Sequence, residues 1–215
     1  MIIDHNDRRY RELRARQGEN KHNGAYYYSH EIVENIIPNV KTDRSWITVN
    51  VQGAGADHAI VFIHNNLHPE NYDWLATYGY KDLVLVCGEE TTCEKVAHLG
   101  TAIYLPLSID VDYVKSFKTD KTRKIAYAGR RAKRRNTKLP KGIDYIEGIE
   151  REDFLKRIAK YDTVYAVGRS AIEAKALGCK LKAYDPRYPK VSVWKVLDNK
   201  AAAKILQAKL DEIDG

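Results

Sequence analysis

The chain has 215 residues, 44% of them hydrophobic, and a formal net charge of +7. No apolar run approaches the roughly 20 residues that a membrane span needs, and the charged first residues lack the apolar centre of a secretory signal. The three cysteines are an odd number at spacings that match no zinc pattern, which indicates reduced thiols in the cytoplasm.

The basic residues are concentrated in two places, the first 22 residues and the segment "GRRAKRRNTKLPK" at 129–141. Such an excess of positive charge favours a phosphate-bearing ligand, which can be small or polymeric. A solvated face that keeps the chain soluble would show the same excess, so that alternative stays open here.

Strand-like and helix-like segments alternate along the first half of the chain. "YYYSHEIVENIIPNV" is typical of a helix, and "SWITVNV" and "HAIVFIH" are typical of strands. "PENYDWLATYG" predicts a short helix that begins at Pro69, and "DLVLVCG" predicts a strand buried on both faces. The helix "TTCEKVAHLG" and the strand "TAIYLPL" complete this half. No strand is predicted before Gly24, so we expect a first sheet that lacks an initial strand.

The alternation begins again after the polar segment "SIDVDYVKSFKTDKTR". Strands are predicted at "KIAYAGR", "DYIEGI", "TVYAVG" and "KLKAYD", and helices at "EREDFLKRIAKY", "SAIEAKALG" and "NKAAAKILQAKLDEI". This pattern predicts parallel sheets with right-handed crossovers. We therefore expect an α/β fold with two small Rossmann-like halves, 1–107 and 108–215, which face each other across a cleft, with the last helix packing back. One continuous sheet is the alternative.

Two predicted strands of the second half end in a Gly-Arg pair. Gly129 and Arg130 are followed by Lys133 and Arg134, and Gly168-Arg169-Ser170 stands where a helix begins. A helix N-terminus has unpaired N–H groups and a partial positive charge, so it favours anions. Glycine lets a ligand approach the backbone, and arginine can bind phosphate oxygens with two parallel bonds. Because adjacent strand ends can converge, the two pairs predict one phosphate site.

Glu173 has two interpretations that can both hold. Ser170 and Glu173 have the spacing of a capping box, in which the two side chains satisfy the first N–H groups of the helix. Alternatively, the carboxylate accepts hydrogen bonds from two vicinal ribose hydroxyls while the helix N-terminus holds a diphosphate. Crevices at the carboxyl ends of parallel strands are where such ligands bind.

Residues 103–212 resemble the nucleotide-sugar-binding half of a GT-B glycosyltransferase, of the retaining kind related to sucrose and glycogen synthases. The segments that carry the resemblance are "IYLPLSIDVDYVKSF", "KIAYAGRRAKRR", "YIEGIEREDFLKRIAKYDTVYAV" and "GRSAIEAKALGCKLKAYD". It implies that Arg130 and a following lysine hold the diphosphate of the donor and that Glu173 binds its ribose.

The first half resembles the same family over shorter stretches. "NGAYYYSHEIVENIIP" is similar to the glycine-rich loop and first helix of the family, and "DHAIVFIHNNLH" to the strand that leads to a histidine near the sugar. The resemblance implies a catalytic position for His64 beside the donor sugar and substrate contacts by Gly24, Tyr27 and His68. A histidine at a strand end can equally serve packing.

The chain also departs from the family pattern. Retaining members carry a second glutamate eight positions before the ribose-binding one, and here that position is Tyr165. The fold that the resemblance implies works without a metal, so we expect a metal-independent glycosyltransferase that uses a nucleotide-diphosphate sugar and no further cofactor. The alternatives are a non-catalytic nucleotide-binding protein on the same fold and a transferase that acts on nucleic acid through its basic run. The donor base, the sugar, the acceptor and the oligomeric state are open.

Overall fold

The computed structural model describes residues 2–4, 28, 31–48, 57–63, 69–129, 139–186, 188 and 190–215. The strands in these residues are β1 Ile2–Asp4, β2 Ser45–Thr48, β3 His58–Ile63, β4 Asp82–Cys87, β5 Thr101–Tyr104, β6 Arg123–Ala128, β7 Asp144–Ile146, β8 Tyr161–Tyr165 and β9 Lys180–Lys182. The α-helices are α1 Glu90–Val96, α2 Val111–Lys115, α3 Arg151–Ile158, α4 Arg169–Ala176 and α5 Asn199–Asp214. A π-helical turn lies at Ile32–Ile36, and 3₁₀ segments lie at Ile37–Asn39, Pro69–Tyr78 and Val191–Val193.

The described strands form two separate parallel sheets, with the orders β1-β2-β3-β4-β5 and β7-β6-β8-β9. The predicted α/β class with two parallel sheets is therefore confirmed, and the sheets are consistent with Rossmann-like halves. The expectation that no strand precedes Gly24 is wrong, because Ile2 of β1 pairs with Trp46 of β2. Three residues are too short a run for a strand pattern to be recognised in the sequence.

The chain divides into two compact units. Among the described residues, the first unit contains those up to Pro106 together with Asn199–Gly215, and the second contains Leu107–Asp198. Helix α5 is fixed within the first unit by Gln207, whose Oε1 accepts from the Lys41 N–H at 2.6 Å and whose Nε2 donates to the Lys41 carbonyl at 3.2 Å.

Buried Arg44 makes a second attachment of α5 within the first unit. Its guanidinium donates to the carboxylate of Asp82, the first residue of β4. It also donates to Asp214 Oδ1, at the end of α5, at 2.6 Å. The two carboxylates share one buried cation, so the end of the helix is held at the amino end of β4.

The first sheet is buried on both faces, as its uninterrupted apolar strands predict. In β3 and β4 every residue after the first is buried. One face packs against Pro69–Tyr78 and α1 in a cluster that includes Ile47, Val61, Leu85, Leu75 and Val96. On the other face the rings of Trp46 and Phe62 stack with centroids 6.1 Å apart.

The second sheet has a reversal in its strand order. From β6 the chain goes to β7 on one side and then returns to β8 on the other, so β6 and β8 are neighbours. On one face, Ala126, Ala128 and Val164 pack in one core cluster with residues of α3 and α4. The carboxyl ends of two strands at such a reversal border the crevice where ligands bind in open α/β sheets.

Gly100, between α1 and β5, is required by the close approach of another strand. A Cβ atom at this position would lie 2.3 Å from the backbone carbonyl oxygen of Leu83. We expect Gly100→Ala to lower the free energy of unfolding by about 2–3 kcal/mol, because β4 must shift to make room. Urea-induced unfolding measures the change.

The matched control is Gly142→Ala. Gly142 has φ 72° but no atom within 4 Å of an added Cβ, so only the left-handed backbone penalty of about 1 kcal/mol applies. A Gly100→Ala variant as stable as Gly142→Ala would contradict the packing argument.

Candidate functional site

The carboxyl edge of the second sheet brings Gly129 and Gly168 to neighbouring strand ends. Gly129 directly follows β6, and Gly168 lies three residues after β8. Tyr127 of β6 pairs directly with Tyr165 of β8, so the two strands run in the same direction and end together. Both glycines therefore lie at the reversal of strand order.

Gly168 makes the sharp turn from β8 into α4. Its φ of 62° and ψ of −139° lie in a region that essentially only glycine adopts. Its carbonyl accepts from the N–H groups of Ala171 and Ile172, at 3.0 and 3.2 Å, which starts the helix. Arg169 is therefore the first helical residue and Ser170 the second.

The prediction that Ser170 and Glu173 form a capping box is wrong. A capping box requires Ser170 to be the N-cap, but the helix already begins at Arg169. Gly168 is the N-cap, and no side chain makes a capping hydrogen bond there. Ser170 is partly exposed at the second helical position, and Glu173 makes different contacts.

Glu173 lies between two arginines. Its carboxylate is buried, with a residue exposure of 2%. Oε1 accepts from Arg169 Nε at 2.8 Å and from Arg151 Nη1 at 2.6 Å. Arg151 is the first residue of α3 and Arg169 the first residue of α4, so this three-residue cluster joins two helix N-termini. Its formal net charge of +1 adds to the positive end of the α4 dipole, whereas Glu152 and Asp153 in the first turn of α3 already offset the dipole of that helix.

The opposite ends of the same two helices are joined by Lys121. Its Nζ donates to the carbonyl of Ala159, at the end of α3, and to that of Leu177, at the end of α4, both at 2.8 Å. A cation is favourable at helix C-termini, where carbonyl groups lack helical partners. The two helices are thus fixed to each other at both ends, which determines where Arg151 and Arg169 lie.

Gly129 lies close against a neighbouring tyrosine. A Cβ atom added to Gly129 would lie 2.9 Å from the hydroxyl of Tyr127, whose side chain is fully buried. The Tyr127 ring meets the ring of Tyr184 edge-on at 5.1 Å and that of Tyr145 at 6.1 Å. Tyrosine rings from three segments therefore pack together around Tyr127, the ring that lies next to Gly129.

The described site contains five of the residues predicted from the sequence: Gly129, Gly168, Arg169, Ser170 and Glu173. The other predicted residues lie outside the described residues: His64, Arg130, Lys133, Arg134, Gly24, Tyr27 and His68. Sequence reasoning missed Arg151. No local pattern indicates this contact, because its partner Glu173 is 22 residues away and acidic residues already flank Arg151 in sequence.

Charge is unevenly divided between the two units. Leu107–Asp198 contains 23 Lys and Arg against 12 Asp and Glu, a formal net charge of +11. The rest of the chain contains 13 against 17, a net charge of −4. The excess of positive charge therefore belongs to the second unit.

No protein-family model matches the chain, and comparisons with curated proteins and with solved structures find no match either. None of the described helices is both long and apolar enough to cross a membrane. Within the part of the chain that the structure describes, no three His, Cys, Asp or Glu side chains group as ligands for a metal ion.

We expect Glu173→Gln to lower the free energy of unfolding by at least about 2 kcal/mol. The substitution keeps the shape but removes a buried negative charge that accepts from two mostly buried guanidinium groups. Chemical denaturation measures the loss.

The control is Glu152→Gln on α3, where an exposed carboxylate pairs with Lys156 one turn away. Exposed pairs of this kind contribute little, so the stability of this variant should hardly change. Equal effects of the two substitutions would show that the cluster does not hold the helices.

Proposed function

We propose that the second unit binds the diphosphate of a nucleotide-diphosphate sugar at its carboxyl edge, and that the chain is a glycosyltransferase of GT-B type. In this proposal the two units face each other across a cleft, as in that fold. The observation that carries the proposal is the position of Arg151, Glu173 and Arg169 where β6 and β8 end side by side.

The site offers three kinds of support for a diphosphate. The first N–H groups of α4 have no helical acceptor, and the backbone of Gly168 leaves room beside them. The cluster supplies fixed positive charge. Such groups stabilise the negative charge that develops on the leaving diphosphate as the sugar is transferred, which is the largest catalytic contribution in many enzymes. In sequence, Arg130, Lys133 and Arg134 follow Gly129 and would add to this charge.

The role of Glu173 differs from the simplest form of the resemblance. Its carboxylate already accepts from two guanidinium groups, so we assign it first to the alignment of Arg151 and Arg169. In this proposal, ribose binding is a second role of the same carboxylate, besides the alignment of the two arginines. His64 as the residue at the sugar, and Gly24, Tyr27 and His68 as substrate contacts, belong to the same proposal.

A second candidate function is nucleotide binding without turnover. It is favoured by Tyr165, which ends β8 at the position where retaining family members carry their first glutamate. The same cluster would then capture a nucleotide or a nucleotide-derived signal.

Calorimetric titration with nucleoside diphosphates and nucleotide sugars tests binding. The wild type should bind at least one of them, and Ser170→Ala should weaken that binding about tenfold, the usual loss of a hydrogen bond to a charged group. Ser192→Ala, an exposed serine on a 3₁₀ segment of the same unit, should bind like the wild type. The proposal fails if the wild type binds no member of the panel.

Product analysis separates the two functions. Release of the nucleoside diphosphate from the bound donor, with or without sugar acceptors, supports transfer. Tight binding of the donor with no release supports the second candidate.

A further inference from the structure

One face of the second sheet carries a row of tyrosines. Tyr145 of β7, Tyr127 of β6 and Tyr165 of β8 are directly paired, and Lys182 of β9 continues the row. Directly paired residues of neighbouring strands point to the same face, whereas the alternate residues point to the other. The row therefore lies opposite the face on which α3 and α4 pack.

Of the three rings, that of Tyr145 is well exposed, that of Tyr165 is partly exposed, and that of Tyr127 is buried beside Tyr145. Tyr145 is 42% exposed and Tyr165 is half-buried. Tyr127, fully buried, contacts the Tyr145 ring at 6.1 Å, so that ring is held in place by its neighbour. Strands are separated by about 4.8 Å, which puts Tyr145 and Tyr165 about 10 Å apart on a rigid surface.

Positive charge accompanies these rings. Lys180 and Lys182 of β9 are exposed and follow the same alternation as Tyr165, so both lie on the tyrosine face. The whole second unit has a formal net charge of +11, and the basic run 130–138 follows β6, the strand that carries Tyr127. A polyanion is therefore the partner that this surface complements.

We propose that this face binds single-stranded nucleic acid, with bases stacked on Tyr145 and Tyr165 and phosphates beside Lys180 and Lys182. Aromatic rings next to cations are the combination by which proteins bind single strands. Sheets that present aromatic rings from neighbouring strands also stack the bases of RNA. The row lies near the carboxyl ends of the strands, since Tyr165 and Lys182 are the last residues of β8 and β9, so the test includes competition with a nucleoside diphosphate.

Fluorescence anisotropy with labelled 12-nucleotide dT and U strands tests the stacking. The wild type should bind them, and Tyr145→Ser should weaken binding at least about fivefold, the smallest loss expected for one stacked ring. Tyr145→Phe should retain binding. Tyr113→Ser is the matched control, since Tyr113 is 41% exposed on α2 of the same unit and lies outside the row.

The salt dependence of the same binding tests the lysines. Replacement of both Lys180 and Lys182 by Ser should reduce the slope of log K against log salt by about 1.4, because each phosphate contact on a single strand contributes about 0.7. Lys124→Ser with Lys195→Ser removes the same charge from exposed positions that are not in the row. Its slope should stay close to that of the wild type.

Several results would overturn the inference. They are an absence of oligonucleotide binding, equal affinity for a duplex of the same length, or equal losses in Tyr145→Ser and Tyr113→Ser. Complete competition by a saturating nucleoside diphosphate would place the oligonucleotide in the nucleotide site, which refutes this inference but leaves the proposed function standing. Binding by Ser170→Ala at wild-type strength supports two separate sites.

Discussion

The carboxylate of Glu173 organises the second unit, because it joins the first residues of two helices that follow different strands. Arg151 begins α3 after β7, and Arg169 begins α4 after β8, yet both donate to the same oxygen atom. Lys121 joins the other ends of these helices through two carbonyl groups. The helices therefore pack on the sheet as one rigid pair, and the position of the two guanidinium groups follows from that pairing.

Topology gives this cluster its place in the molecule. The first sheet adds its strands in sequence, β1 to β5, so its order never reverses. The second sheet reverses between β6 and β8, and a crevice at the carboxyl ends of parallel strands forms at such a reversal. The excess of positive charge belongs to the same unit. The reversal of strand order and the excess of positive charge thus occur in the same unit.

Local signals in the sequence predict most of this fold and only part of the site. Strands β3 and β4 could be predicted, because a strand that is buried on both faces consists of an uninterrupted run of apolar residues. Strand β1 could not be predicted from the sequence, since it has only three residues and is defined by its pairing with β2. The sequence has a glycine at position 168, just before a predicted helix. In the structure Gly168 is itself the N-cap, so Ser170 is already helical and does not form the predicted capping box. The contact of Arg151 with Glu173 spans 22 residues, beyond any local pattern.

A buried carboxylate with two guanidinium groups is a poor device for stability alone, since the desolvation of three charges offsets much of their attraction. Apolar packing already joins α3 and α4, because Leu155 and Ile172 lie in the same core cluster. Apolar side chains cannot supply positive charge fixed at the strand ends. The cluster keeps a net charge of +1 at the positive end of the α4 dipole, while the first turn of α3 carries Glu152 and Asp153. What the cluster provides, and apolar packing does not, is the fixed position of two guanidinium groups at the start of α3 and α4.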